Sequence, residues 1–154
     1  MPASQTVSPA GVEEIIARHL HREGPLLPIL HDLQDHFGCI PAEARPAIAA
    51  ALNITQAEVH GVISFYHDFR EEPAGRHVLK ICRSEACQSM GGTALGEAVL
   101  TLLGLGWGET SADGRITVEP VYCLGLCACA PAAMVNGKLK GRAEAKALVA
   151  EVSA

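Results

Sequence analysis

Apolar residues recur every three or four positions through the first half of the chain, and every second position in parts of the remainder. Val12, Ile15, Ile16, His19 and Leu20 share one face of a first helix. Ser8-Pro9 precedes them, an N-cap followed by proline at the first helical position, where its missing N–H costs nothing. Gly24-Pro25 ends that helix. Leu26, Leu27, Leu30, Leu33 and Phe37 define a second, closed by Gly38. Pro41 opens a third, alanine-rich helix that runs to about Leu52. Thr55 and Glu58 stand at capping-box spacing ahead of a fourth, which carries Val59, Val62 and Ile63. Four short amphipathic helices predict a small bundle.

Glu71-Glu72-Pro73-Ala74-Gly75 is polar and breaks helices, which sets a boundary between residues 1–72 and 73–154. Beyond it, His77 to Ile81 reads as a strand and Thr93 to Leu103 as a helix. Arg115 to Tyr122 reads as a second strand. Ala132 to Val135 and Lys138 to Lys140 flank Asn136-Gly137, which supplies the positive-φ pair of a type I′ hairpin turn. Ala143 to Val152 closes the chain as a helix. The order β-α-β-β-β-α fits a small α/β sandwich, so the chain as a whole is α+β.

Composition narrows the function. Hydrophobic residues make up 49% and charged residues 19% of the 154, enough apolar material for packed cores. The net charge is −5 and no lysine/arginine run occurs, which disfavours nucleic acid and anionic membranes as partners. Residues 1–5 have neither a basic nor an apolar stretch of the kind a secretory signal needs. No apolar run approaches the roughly 20 residues of a membrane span. A cytoplasmic chain without membrane insertion is expected. In that compartment thiols stay reduced, so the six cysteines read as metal ligands before disulfides.

Four of the six form two close pairs, Cys82-x4-Cys87 and Cys123-x3-Cys127, each directly after a predicted strand. Two strands joined by one helix run parallel and end at the same sheet edge, where α/β sheets place their sites. Strand order alone therefore directs four thiols to one place. Such a set suits an iron–sulfur cluster or zinc. Zinc pairs are usually tighter and alike, so the unequal x4 and x3 loops favour iron–sulfur. Neither loop contains the histidines of a Rieske centre. Gly91, Gly92 and Gly125 would let backbone N–H groups approach sulfur, and Leu124, Leu126, Ala128 and Ala130 would exclude water. The absence of a C-x-x-C pair argues against a thiol oxidoreductase. A structural zinc module is the remaining reading of another class.

Cys82-Arg83-Ser84-Glu85-Ala86-Cys87, Gly91-Gly92 and Cys123-Leu124-Gly125-Leu126-Cys127-Ala128-Cys129-Ala130-Pro131 resemble the thioredoxin-like [2Fe–2S] ferredoxin family. Leu27-Pro28-Ile29-Leu30, His36-Phe37-Gly38, Ile40-Pro41 and Val62 to Tyr66 are similar to that family's N-terminal helical domain. The resemblance implies a helical bundle followed by a thioredoxin-like α/β domain with a four-stranded mixed sheet. It implies one [2Fe–2S] cluster held by Cys82, Cys87, Cys123 and Cys127, in a chain without an active site of its own. The family includes the small ferredoxin-like subunit of respiratory complex I (NADH-quinone oxidoreductase) and relatives in NAD-linked hydrogenases. Within it, Arg83 to Gly91 most resembles the gamma subunit of soluble NAD-dependent formate dehydrogenases. The complex I branch more often has Gly-Thr-Ala before the second cysteine and histidine after it. This likeness implies two partners, an FMN- and NADH-binding flavoprotein and a molybdenum-containing catalytic subunit that oxidises formate. It also raises the expectation of a cis peptide at Pro131.

Other signals are set aside. Cys39 and Cys129 are expected as small packed residues. Gly104-Leu105-Gly106-Trp107-Gly108 follows a helix instead of opening one, so it is a loop and not a dinucleotide fingerprint. His31 and His36 are five apart and lack the spacing of a helical metal pair. Ser64 to Phe69 reads as an aromatic anchor between the halves or against a partner.

Overall fold

The computed structural model describes residues 7–154, so the reading of residues 1–5 lies outside the described residues. The chain divides into two compact units, Met1–Pro73 and Ala74–Ala154.

The first unit holds four helices. In α1 (Pro9–His19) the Ser8 hydroxyl accepts the Gly11 N–H at 3.1 Å, and Val12, Ile15 and Ile16 face inward. In α2 (Leu26–Phe37), Ile29, Leu30, Leu33 and Phe37 are buried, and Gly38 closes the helix at φ 80° by donating to the Gln34 carbonyl. Helix α3 (Ala44–Leu52) starts three residues later than Pro41 predicts. Pro46 has no N–H to give the Ala42 carbonyl, which takes the Arg45 N–H instead at 3.3 Å. A turn therefore precedes the regular helix. The Thr55–Glu58 capping box opens α4 (Gln56–Phe65) with both reciprocal bonds made.

Fourteen buried apolar side chains from these helices and their connections form the core of this unit. Phe69 is one of them, because Gln34 ties the segment after α4 back to α2. Its amide donates to the Asp68 carbonyl and accepts from the Arg70 N–H, both at 2.7 Å. The predicted aromatic anchor is therefore divided: Phe69 is core, while Phe65 and Tyr66 are exposed.

The second unit is built on a mixed four-stranded sheet of order β2-β1-β3-β4, the four-stranded mixed sheet that the resemblance implies. Strands β1 (His77–Cys82) and β2 (Ile116–Val121) are parallel, with Cys82 opposite Val121. Strand β3 (Ala133–Val135) runs antiparallel to both β1 and β4 (Lys138–Lys140). Asn136 and Gly137 take the positive φ values, 49° and 81°, that their sequence predicts. Between Cys82 and the next long helix the chain makes a short helix that periodicity does not show, α5 (Glu85–Ser89). Leu95 and Val99 of α6 (Gly92–Leu103) and Leu148 and Val152 of α7 (Ala145–Ser153) pack with Leu79, Ile81, Val118, Ala133 and Val135. Helix α7 begins two residues later than predicted, because Arg142 at φ 48° and the extended Glu144 are not helical, while the Arg142 and Ala143 N–H groups bond the Cys129 and Pro131 carbonyls.

The start of α6 lies so close to α5 that a Cβ on Gly92 would stand 2.6 Å from the Cys87 carbonyl oxygen. That atom is backbone and cannot swing aside. Gly92→Ala is expected to lower the unfolding free energy in urea by about 1–3 kcal/mol, the usual range for overpacking. Gly61→Ala, with open space around it, should not destabilise the chain.

Candidate metal centre

Because β1 and β2 are parallel and in register, both cysteine loops leave the same edge of the sheet. Cys82 is the last residue of β1; Cys123 lies two residues past the end of β2. The Arg83 N–H donates to the Val121 carbonyl at 2.8 Å, and the Cys82 N–H to Ala132 at 3.0 Å. The first loop is thereby bonded to the end of β2 and to the chain that enters β3.

Helix α5 turns the chain back so that the Cys87 thiol reaches the Cys82 sulfur. Both cysteines are buried. They form a small apolar cluster with Ala130 and Ala132, flanked by Val121, Leu124 and Leu126. Ala128, expected among the water-excluding residues, is exposed, because the chain passes there through a 3-10 turn (Cys127–Cys129) on the surface. Cys123 and Cys127 are exposed as well. The structure thus supplies two inner and two outer sulfurs at one edge.

The second loop is held in an unusual shape. Cys123 has φ 109°, a region that residues with a Cβ rarely adopt, and Gly125 follows at φ 74°. This bend aims the Gly125 N–H at the Cys123 sulfur, 3.4 Å away. The turn closes through the Cys129 N–H on the Leu126 carbonyl and the Ala130 N–H on that of Cys127. The Ala130–Pro131 peptide is cis, as the resemblance led us to expect.

Electrostatics separate the two inner thiols. Burial opposes ionisation of Cys82. The Ser84 N–H, the Cys87 thiol, the Ser84 hydroxyl and the Cys123 N–H together outweigh it, and the Cys82 thiol lies below its ordinary value. Burial pushes the Cys87 thiol up. Its hydrogen bond to Cys82 and the nearby Cys82 and Cys127 sulfurs add to that, against one opposing N–H bond from Ala132. Directed hydrogen bonds therefore favour negative charge at Cys82, whereas burial and the neighbouring sulfurs oppose it at Cys87. Among the described residues, no group of three or more His, Cys, Asp or Glu side chains, the four candidate cysteines included, is already gathered closely enough to hold a metal ion.

Two cysteines stand apart. Cys39 is buried in the first unit, where burial, then Glu43 and Glu72, push its thiol up. Cys129 is half-buried, and a Cβ on Gly141 would stand 2.7 Å from its own Cβ. The glycine-rich 104–108 segment is a loop, as expected. Its Trp107 packs against the core of the second unit and lies under Arg83, whose guanidinium carbon is 5.0 Å from the ring centroid. Sequence reasoning missed that pair. Its only signals are the single tryptophan of the chain and the single cation in either cysteine loop.

Comparison with known proteins places this geometry. The family described as thioredoxin-like [2Fe–2S] ferredoxin matches residues 12–153. The E subunit of the NADH-quinone oxidoreductase of Pseudomonas aeruginosa is 39% identical over 109 residues, which cover 71% of this chain and 66% of that protein. The HndA subunit of the NADP-reducing hydrogenase of Solidesulfovibrio fructosivorans is 34% identical over 120 residues, 78% of this chain and 70% of that protein. The match to the corresponding NADH-quinone oxidoreductase protein of Mycobacterium tuberculosis covers 49% of its length, so the chain spans half to two thirds of several curated relatives. Among solved structures, an NAD+-reducing [NiFe]-hydrogenase in the air-oxidised state superposes with a TM-score of 0.69 at 27% identity, over 83% of this chain and 22% of that one. The family carries one [2Fe–2S] cluster. With a matching pattern over nearly its whole length and a four-stranded mixed sheet that brings two cysteine loops to one edge, the chain belongs to the thioredoxin-like [2Fe–2S] ferredoxin family.

Proposed function

We propose that Cys82, Cys87, Cys123 and Cys127 ligate the [2Fe–2S] cluster, and that the chain is an electron-transfer component of a larger NAD-linked oxidoreductase. The observation that carries the reading is the set of N–H groups aimed at sulfur. Ser84 and Cys123 serve Cys82, Ala132 serves Cys87, and Gly125 serves Cys123. Donors of this kind stabilise thiolate, the form in which cysteine binds iron. When bound, the cluster supplies one-electron exchange without proton transfer by the protein. The chain's own residues fix the spacing of the four sulfurs. Leu124 and Leu126 limit water beside the inner pair, and the outer pair stays near the surface where a partner can approach.

The partner we propose is an FMN- and NADH-binding flavoprotein, in keeping with the NAD-linked names of the relatives. Among the described residues no helix is long and apolar enough to cross a membrane. We place the chain in the cytoplasm, where its thiols would remain reduced. For the identity of the complex, the finer reading is the gamma subunit of a molybdenum-dependent, NAD-linked formate dehydrogenase. It is supported by Ser84-Glu85-Ala86 and Gln88, in a loop closed by the Gln88 amide on the Arg83 carbonyl at 2.7 Å. The equivalent position in an NADH-quinone oxidoreductase or NAD-linked hydrogenase is the coarser alternative.

The anaerobically purified chain is expected to be red-brown, with about two iron and two sulfide per chain and an S = ½ EPR signal after dithionite. A colourless protein with about one zinc would overturn the cluster reading. Cys123→Ser should lose or distort the cluster, while Cys39→Ser should leave the spectrum intact; an undisturbed spectrum in Cys123→Ser would remove that ligand. In the complex isolated with its flavoprotein and molybdenum partners, the cluster should become reduced on adding formate. Reduction by NADH but not by formate would move the chain to one of the other complexes.

A further inference from the structure

We propose that Arg83 is a fixed positive charge that raises the reduction potential of the cluster, and that Trp107 and Gly96 are the positioning residues that hold it. This rests on the cluster reading above.

Arg83 directly follows the first cysteine, so its Cα lies one peptide, about 3.8 Å, from that of Cys82. It is the only cation in either cysteine loop, and Glu85 is the only other charge there. Both of its backbone polar groups are tied down. The N–H donates to the Val121 carbonyl at 2.8 Å, and the carbonyl accepts from the Gln88 amide at 2.7 Å. Among the described residues no carboxylate forms an ion pair with its guanidinium. The side chain instead lies over the indole of Trp107, with Cζ 5.0 Å from the ring centroid. Arg83 is itself exposed to solvent, and its side chain is steadied by the indole at its tip and by the bonded backbone at its root.

The platform beneath it is built. The Gly106 N–H donates to the Glu109 carboxylate at 2.6 Å, and the Gly108 N–H donates to the Val118 carbonyl at 2.8 Å, so the loop is pinned on both sides of the indole. Gly96 sits in the middle of α6, where glycine weakens a helix relative to alanine. A Cβ there would stand 2.9 Å from Trp107 Cζ2 and 3.2 Å from Cη2. The helix accepts the poorer residue at the position where the indole needs the room.

The consequence for electron transfer has a definite sign. One-electron reduction of a four-thiolate [2Fe–2S] centre adds one negative charge, makes or breaks no bond and moves no proton. A permanent cation held nearby stabilises the reduced form over the oxidised one, and fixed local charge is among the means by which proteins set these potentials.

An EPR-monitored redox titration of the full-length chain with its cluster tests this. Arg83→Gln should lower the equilibrium constant for one-electron reduction about tenfold, which is about 59 mV for a one-electron couple. Iron content and g values should stay unchanged. Arg83→Lys, which keeps the charge but loses the planar stack, should recover most of the shift. Trp107→Leu should shift the potential in the same direction by a smaller amount and add nothing in the Arg83→Gln background. An unchanged potential in a fully loaded Arg83→Gln chain would overturn the inference while leaving the cluster reading intact. A Trp107→Leu shift that persists without Arg83 would overturn the platform. If Arg83→Gln does not retain iron, Trp107→Leu, with both cysteine loops unaltered, decides alone: an unchanged potential there overturns the inference. A wild-type chain without a cluster would overturn the cluster reading itself.

Discussion

The parallel pairing of β1 with β2 is the constraint on which the site depends. With Cys82 opposite Val121, the two strands end together. The loops that follow must start within one strand spacing, about 4.8 Å, of each other. A register slip of one residue would turn Cys82 to the opposite face of the sheet and take the Arg83 N–H away from the Val121 carbonyl. The register is protected by burial on the inner face, where Leu79, Ile81 and Val118 are inaccessible to water. Packing far from the sulfurs therefore places them, and the loops only refine their positions.

That refinement uses conformations which are poor choices locally. Cys123 lies at positive φ, Cys87 is an ionisable thiol in an apolar cluster, and Gly96 weakens the helix it occupies. In each case the local cost has a geometric counterpart. The bend at Cys123 brings the Gly125 N–H toward sulfur, the burial of Cys87 brings it onto Cys82, and the missing Cβ of Gly96 admits Trp107. Departures from local preference concentrate where a sequence serves a site more than a fold.

Features with a local cause were legible in the sequence. Ser8, the Thr55–Glu58 pair, Gly38 and Asn136-Gly137 act through atoms within a few residues, and each does in the structure what its chemistry predicts. The convergence of the two cysteine loops was also legible, because it follows from strand order and needs no side-chain detail. What escaped is set by contacts distant in sequence or by absent donors. Helix α3 starts late because Pro46 cannot donate. Phe69 is buried because Gln34, a whole helix pair earlier in the chain, holds its flanking backbone. Ala128 is apolar in sequence yet exposed, because the 3-10 turn carries it outward while Leu124 and Leu126 turn in. Helix α5 is five residues long, too short for periodicity to register.

The difference between inner and outer cysteines bears on how such a protein transfers electrons. Cys82 and Cys87 are shielded by Ala130, Ala132 and the leucines of the second loop, while Cys123 and Cys127 face outward. A centre held by these four cysteines, as proposed, would be anchored in the sheet on one side and open to a partner's approach on the other. Electron transfer asks little of the protein beyond a short path, a rigid geometry and a suitable potential. The sheet edge supplies the rigidity, and the exposed second loop shortens the path. The potential is left to the charges and dipoles around the sulfurs. Most of these are backbone N–H groups, whose number and direction are fixed by the fold. A side-chain charge in the loop is a component of that field that can be changed without disturbing the sheet. That is the role proposed above for Arg83 on Trp107.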